Sequence, residues 1–103
     1  MPNNKIFWTR QSREDLRSVR DHIARDAPAT ALTYVRKLRN SVGRLKQFPF
    51  SGEVVPEIGR EDLREVLQGN YRIIYRVSER RVDILAVFHS SQIFDERDLG
   101  SAE

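Results

Sequence analysis

The first half of the chain repeats its apolar residues every three or four positions, and the second half alternates them. Leu16, Val19, Ile23 and Ala27 recur at helical spacing, with Arg13, Arg17, Arg20 and Arg25 between them. This spacing predicts an amphipathic helix over residues 12–25. Ser12 is placed to cap its N-terminus, and Asp15 puts a carboxylate in its first turn. Asp26-Ala27-Pro28 interrupts the pattern, because proline cannot extend the helix before it but suits the first turn of the next. Ala31, Val35, Leu38, Val42 and Leu45 then follow in steps of four, three, four and three, a narrow apolar seam that Phe48-Pro49 ends. The link is so short that the two helices fold back as an antiparallel hairpin.

Lys5 to Thr9 is a run of aromatic and β-branched residues that reads as a strand. Residues 50–62 contain Gly52, Pro56 and Gly59 and read as a connecting loop. Leu63–Leu67, Tyr71–Ser78 and Val82–His89 are β-prone with hairpin-sized gaps, which predicts an antiparallel meander. Along Tyr71 to Val77, the residues Tyr71, Ile73, Tyr75 and Val77 share one face, and Arg72, Ile74 and Arg76 share the other. The first face reads as core. The second carries two guanidinium groups that a purely structural strand does not require. Val82 to Phe88 is apolar at nearly every position, as in a central strand covered on both faces. The predicted class is α+β. It comprises an N-terminal strand at a sheet edge, an antiparallel two-helix hairpin, then a three-stranded antiparallel meander with the helices packed on one face. Residues 1–103 form a single domain in this reading. Residues 1–4 and about 95–103 are expected to be loose or ordered by a partner, with Ile93, Phe94 and Leu99 docking the tail.

Charge sharpens the picture. Residues 1–50 carry 11 Lys/Arg against 4 Asp/Glu, and residues 51–103 carry 7 against 11, so an overall charge of +3 hides a basic first half and an acidic second. A basic half calls for an acidic partner, nucleic acid or protein, unless it is simply solvated helix surface. The 39% hydrophobic content is that of a globular chain rather than a disordered one. The absence of cysteine excludes disulfides and thiolate metal sites and fits a reducing cytoplasm. No apolar run is long enough to span a bilayer, and no signal-peptide pattern opens the chain. No His/Asp/Glu set stands at metal-ligand spacing and no glycine-rich phosphate loop is present, so neither metal nor cofactor is expected.

A set of short motifs carries a resemblance. They are Trp8-Thr9 before Asp15-Leu16, Ala31 with Tyr34-Val35, Leu45 to Pro49 with Gly52, Leu63-Arg64-Glu65, Tyr71 to Val77, and Ile84 to His89. In this order and spacing the chain resembles the ParE branch of the RelE/ParE toxins of bacterial toxin–antitoxin modules, over nearly its whole length. The resemblance implies two helices on an antiparallel sheet and neutralisation by a ParD-like antitoxin whose C-terminal part wraps the toxin. It further implies DNA gyrase as the target. DNA is reached only indirectly, through the antitoxin. RelE-like relatives instead cut messenger RNA on the ribosome.

Which branch applies is a question of chemistry. RNA cleavage through a 2′-hydroxyl needs a base, cations for the phosphorane and an acid for the leaving oxygen. Arg64, Arg72 and His89 are the candidates, with Tyr75 and Arg76 beside them. The strand from Leu63 to Leu67 has no lysine and carries Glu65, and the last lysine of the chain is Lys46. His89 ends the last strand, where a histidine can serve as acid or base. The basic residue that family members usually place three positions on is Gln92 here. His22 reads as a surface residue. The competing assignment makes Arg72, Arg76, Arg64, Trp8, Arg13, Arg17 and Arg20 binding residues for antitoxin or target, since guanidinium holds carboxylate bidentately. Under a third reading Arg72 and Arg76 pair internally, for instance with Asp95 or Glu96 of the tail, and Trp8 is packing. Arg72→Ala is expected to weaken toxicity or antitoxin affinity without unfolding the chain. The functions left open are a gyrase-directed, protein-binding toxin, a RelE-type endoribonuclease, and a non-toxic relative that only binds antitoxin.

Overall fold

Residues 3–99 are described by a computed structural model. The chain runs β1 (Lys5–Trp8), α1 (Arg10–Asp26), α2 (Pro28–Asn40), a 3-10 helix (Gly43–Lys46), β2 (Glu53–Val54), β3 (Leu63–Gln68), β4 (Tyr71–Ser78), β5 (Arg81–His89) and a second 3-10 helix (Glu96–Leu99). The strands form one sheet in the order β1-β5-β4-β3-β2. β1 lies parallel to β5, and all other pairs are antiparallel.

The expected three-stranded meander is thus the middle of a five-stranded mixed sheet. The added strand, β2, sits in the segment read as loop. Its two residues pair with Glu65 and Arg64, too few to leave a periodic signal in the sequence.

The helix ends also differ from expectation. Thr9, not Ser12, caps α1: its Oγ1 accepts from the Ser12 amide at 3.2 Å and donates to the Ile84 carbonyl at 2.8 Å. Ser12 lies buried inside the first turn and donates to the Thr9 carbonyl. Asp15 reaches across to β5, where its Oδ2 accepts from the Val87 amide at 2.9 Å. Beyond the end of β1, side chains from the start of α1 therefore take over the free edge of β5. α2 ends at Asn40, earlier than its seam: the Ser41 amide is shared between the Lys37 and Leu38 carbonyls at 3.0 and 3.2 Å, and the Ser41 hydroxyl donates to the Leu38 carbonyl at 2.6 Å. Val42 and Leu45 continue the seam from a turn and the 3-10 helix and remain fully buried.

Leu16, Val19, Val35, Leu38, Val42 and Leu45 pack against Val66, Tyr71, Ile73, Tyr75, Val82, Ile84 and Val87. β5 keeps this pattern despite an extra residue: Ile74 faces Ala86 and Tyr75 faces Ile84, which leaves Leu85 as a bulge. The bulge resets the alternation, so Ile84 and Val87 share the helix-side face. The opposite face is not bare. Val55, Ile74, Ala86 and Phe94 form a second cluster with Ile58, Phe88 and Leu99 against it. The loop before β3 and the C-terminal segment thus cover that face. Phe94 and Leu99 dock the segment, but Ile93 is 92% exposed and does not. The Gln11 side chain holds the Asp98 carbonyl at 2.6 Å. At the other end, the Asn4 amide donates to the Lys46 carbonyl. Met1, Pro2 and residues 100–103, also expected to be loose, lie outside the described residues.

Candidate functional site

Arg72 emerges from β4 on the face away from the helices and is only 7% exposed. Its Nε and one terminal nitrogen lie 2.7 and 2.6 Å from Glu65 Oε1. Its terminal nitrogens also meet both oxygens of Glu57 at 2.7 and 2.8 Å. The guanidinium lies 5.4 Å from the Phe88 ring centre and 5.8 Å from that of Phe94, and these two rings stack 5.2 Å apart. One cation among two carboxylates leaves a net negative charge. The hydrogen bond from Arg72 holds Glu57 below the usual glutamate range, and the Glu57 contact raises Arg72 further above its ordinary value. Internal pairing therefore wins for Arg72, with Glu57 and Glu65 rather than the tail residues as partners. Against the expectation that Arg72→Ala leaves the fold intact, that change would strand Glu65 in the interior.

Arg64 is equally committed. It donates to the carbonyls of Glu61, Phe50 and Gly52 at 2.9, 3.2 and 2.9 Å and to the Glu61 carboxylate at 2.8 Å. Arg76 lies 3.6 Å from Asp83, which Arg81 also holds at 2.8 Å. Asp95 pairs with Arg97, and Glu96 lies 3.9 Å from Arg60. Trp8 is half-buried and packs against the helix-side core.

His89 sits at the end of β5 in a self-capped turn. Its Nδ1 accepts from the Ser91 amide at 3.1 Å and lies 2.7 Å from Ser91 Oγ. Its ring meets Tyr71 edge-on, with centres 5.3 Å apart. Asp15, His22, Tyr71 and His89 line one recess between α1 and this end of the sheet. Burial pushes the Asp15 carboxyl up against the opposing pull of the Val87 amide, and it pushes the Tyr71 phenol up as well. Among the described residues, no cluster of three or more His, Cys, Asp or Glu side chains is arranged to hold a metal ion.

The three ribonuclease candidates do not meet. Arg64 is the cross-strand partner of Tyr75 and His89 that of Tyr71, so both lie on the helix-side face, four residues apart along β4. That separation is about 13 Å along a strand. Arg72 lies on the opposite face, next to Glu65.

The helices bring a different set together. Arg13, Arg17 and Arg20 of α1 and Arg36 and Arg39 of α2 line a groove together with the buried Leu16 and Val35 and the exposed Leu32. Arg13 is anchored on the Trp8 carbonyl, and Arg20 pairs with Asp21 on the surface. Among the described residues, Arg17, Arg36 and Arg39 have no carboxylate within salt-bridge distance. Sequence reading missed Arg36, Arg39 and Leu32, although the signal is present. Residues 13, 16, 17 and 20 and residues 32, 35, 36 and 39 repeat the same helical spacing, two facing stripes with an apolar centre and a cationic rim.

A family model described as the ParE toxin of the type II toxin–antitoxin system parDE matches residues 6–94. "Putative toxin Y4kP" of Sinorhizobium fredii is 33% identical over 95 residues, covering 89% of this chain and 94% of that protein. Among solved structures, a chain of the chromosomal ParDE system from P. aeruginosa superposes with a TM-score of 0.72 at 24% identity, covering 84% of this chain and 95% of that one. A chain of the RelBE2 toxin–antitoxin complex from Mycobacterium tuberculosis gives a TM-score of 0.56 at 24% identity, covering 89% and 97%. These two likenesses show a shared fold.

Proposed function

The chain belongs to the ParE toxin family of type II toxin–antitoxin systems, and on that premise we propose that it acts by binding proteins rather than by cutting RNA. The observation that carries this reading is the dispersal of Arg64, Arg72 and His89 over two faces, with Arg72 neutralised by Glu57 and Glu65. A scissile phosphate brought to Arg72 meets the carboxylates of Glu57 and Glu65. The target in this reading is DNA gyrase, in the cytoplasm, as the family resemblance implies.

The partner that silences the toxin is a ParD-like antitoxin. The groove between α1 and α2 fits an acidic amphipathic segment: apolar side chains cover Leu16, Leu32 and Val35 while carboxylates meet the arginine rims. DNA is reached through the antitoxin.

Purified toxin is expected to inhibit gyrase supercoiling, and added antitoxin to relieve the inhibition. Supercoiling and DNA cleavage that stay normal while cells still die would remove gyrase from the reading. Primer extension on translated messages supplies the opposite arm, because toxin-dependent cuts would restore the ribonuclease. Expression without antitoxin is expected to arrest growth. Unimpaired growth would leave only an antitoxin-binding relative.

A further inference from the structure

Between the first 3-10 helix and β2 the chain presents two phenylalanines to solvent. Phe48 is 61% exposed and Phe50 55%, with only Pro49 between them. Single exposed apolar residues are ordinary on a protein surface. These two stand on a turn that the protein holds firmly. The Ser51 amide donates to the Phe48 carbonyl at 3.0 Å and closes the turn. The hydroxyl of Tyr75, a fully buried residue, donates to the Pro49 carbonyl at 2.7 Å and accepts from the Gly52 amide at 3.0 Å. Arg64 donates to the carbonyls of Phe50 and Gly52, and its guanidinium lies 5.0 Å from the centre of the Phe50 ring. Arg44 Nε donates to Ser51 Oγ at 3.1 Å. A Cβ on Gly52 would lie 2.5 Å from both Tyr75 Oη and the Glu65 carbonyl, so the turn is locked against β3 and β4. A turn backbone held in this way has little freedom left to lose on binding, and exposed aromatic side chains on a fixed backbone are the usual anchors of protein interfaces.

We propose that the Phe48-Pro49-Phe50 turn is the docking knob for the toxin's protein target, entering an apolar pocket rimmed by carboxylates. The inference rests on the reading of the chain as a protein-binding toxin. Charge selects the occupant. Residues 44–53 contain two cations, Arg44 and Lys46, and one carboxylate, Glu53. Arg64 engages the neighbouring Glu61. The turn therefore carries a net positive charge, which favours a partner surface bearing carboxylates over a second copy with the same net charge. The antitoxin segment is assigned to the groove between α1 and α2, none of whose lining residues belongs to this turn. Arg64 and Tyr75 thereby become positioning residues for the knob.

The test is the double variant Phe48→Ala with Phe50→Ala, compared with the parent chain. Cooperative melting and antitoxin Kd are expected to be retained. Growth arrest is expected to be lost, and the concentration for half-inhibition of the target to rise at least about tenfold. Undiminished arrest overturns the proposal. A comparable loss of antitoxin affinity also overturns it, by placing the turn under the antitoxin. So does a phenylalanine-dependent dimer in sedimentation, or phenylalanine-dependent binding to phosphatidylglycerol vesicles. If the parent chain leaves gyrase untouched yet arrests growth, the gyrase reading fails alone and the arrest comparison still decides the knob. A parent chain that arrests nothing overturns both.

Discussion

At the scale of single residues, the arginines that looked most chemical are the most structural. Arg72→Ala is expected to destabilise the fold by about 3–5 kcal/mol, because it leaves the Glu65 carboxylate buried without a counter-charge. Denaturant unfolding measures this directly. Glu57 gives the pH dependence. Its folded pKa is depressed, chiefly by the Arg72 hydrogen bond, so its contribution is present above the ordinary glutamate pKa and is lost as pH falls through the depressed value. Glu57→Gln is therefore expected to flatten the acid side of the stability profile, read as melting temperature against pH, with its largest effect above that window. Tyr75→Phe strands the Pro49 carbonyl and the Gly52 amide and is expected to cost about 1–3 kcal/mol. Retained stability in that variant would mean that the turn is held mainly by Arg64.

At the scale of elements, the helix pair was readable because the apolar residues of each helix keep helical spacing along its length. Leu38 stands at the centre of the seam with 0% exposure, and Leu38→Asp is expected to abolish cooperative thermal melting followed by circular dichroism. The seam predicts burial better than it predicts helix. Val42 and Leu45 are buried from outside α2, where the chain passes from the α-helix into a 3-10 turn. The α1 cap was misplaced for a related reason. Thr9 and Ser12 are both plausible caps by residue type, and the choice follows from the Ile84 carbonyl, which Thr9 alone reaches. β2 left no trace in the sequence, because its pairing with β3 depends on how Arg64 and Tyr75 fold the preceding turn.

At the scale of the whole molecule, five arginines of the basic half gather around one groove. The paired substitution Arg17→Glu with Arg36→Glu, on the two rims of the groove, is expected to lower antitoxin affinity at least about tenfold and to flatten its salt dependence. Titration calorimetry at two ionic strengths reads both effects, and unchanged values would move the antitoxin off this groove. The sequence by itself determined the α+β class, the helix hairpin, the three central strands and the family, since these rest on local periodicity and motif order. It also placed Arg13, Arg17 and Arg20 on a common helix. Only the tertiary structure decided what Arg72 meets. Glu57 lies 15 residues from Arg72 and Glu65 lies seven away, and no periodicity joins them. The same holds for the turn around Phe50, where Arg64 from β3 holds the Phe50 carbonyl and Tyr75 from β4 holds Pro49 and Gly52. Hydrophobic pattern is a property of neighbours along the chain and survives in one dimension. The ion pairs of Arg72 and the support of the Phe48–Gly52 turn join residues distant in sequence, and they exist only once the sheet has set its register.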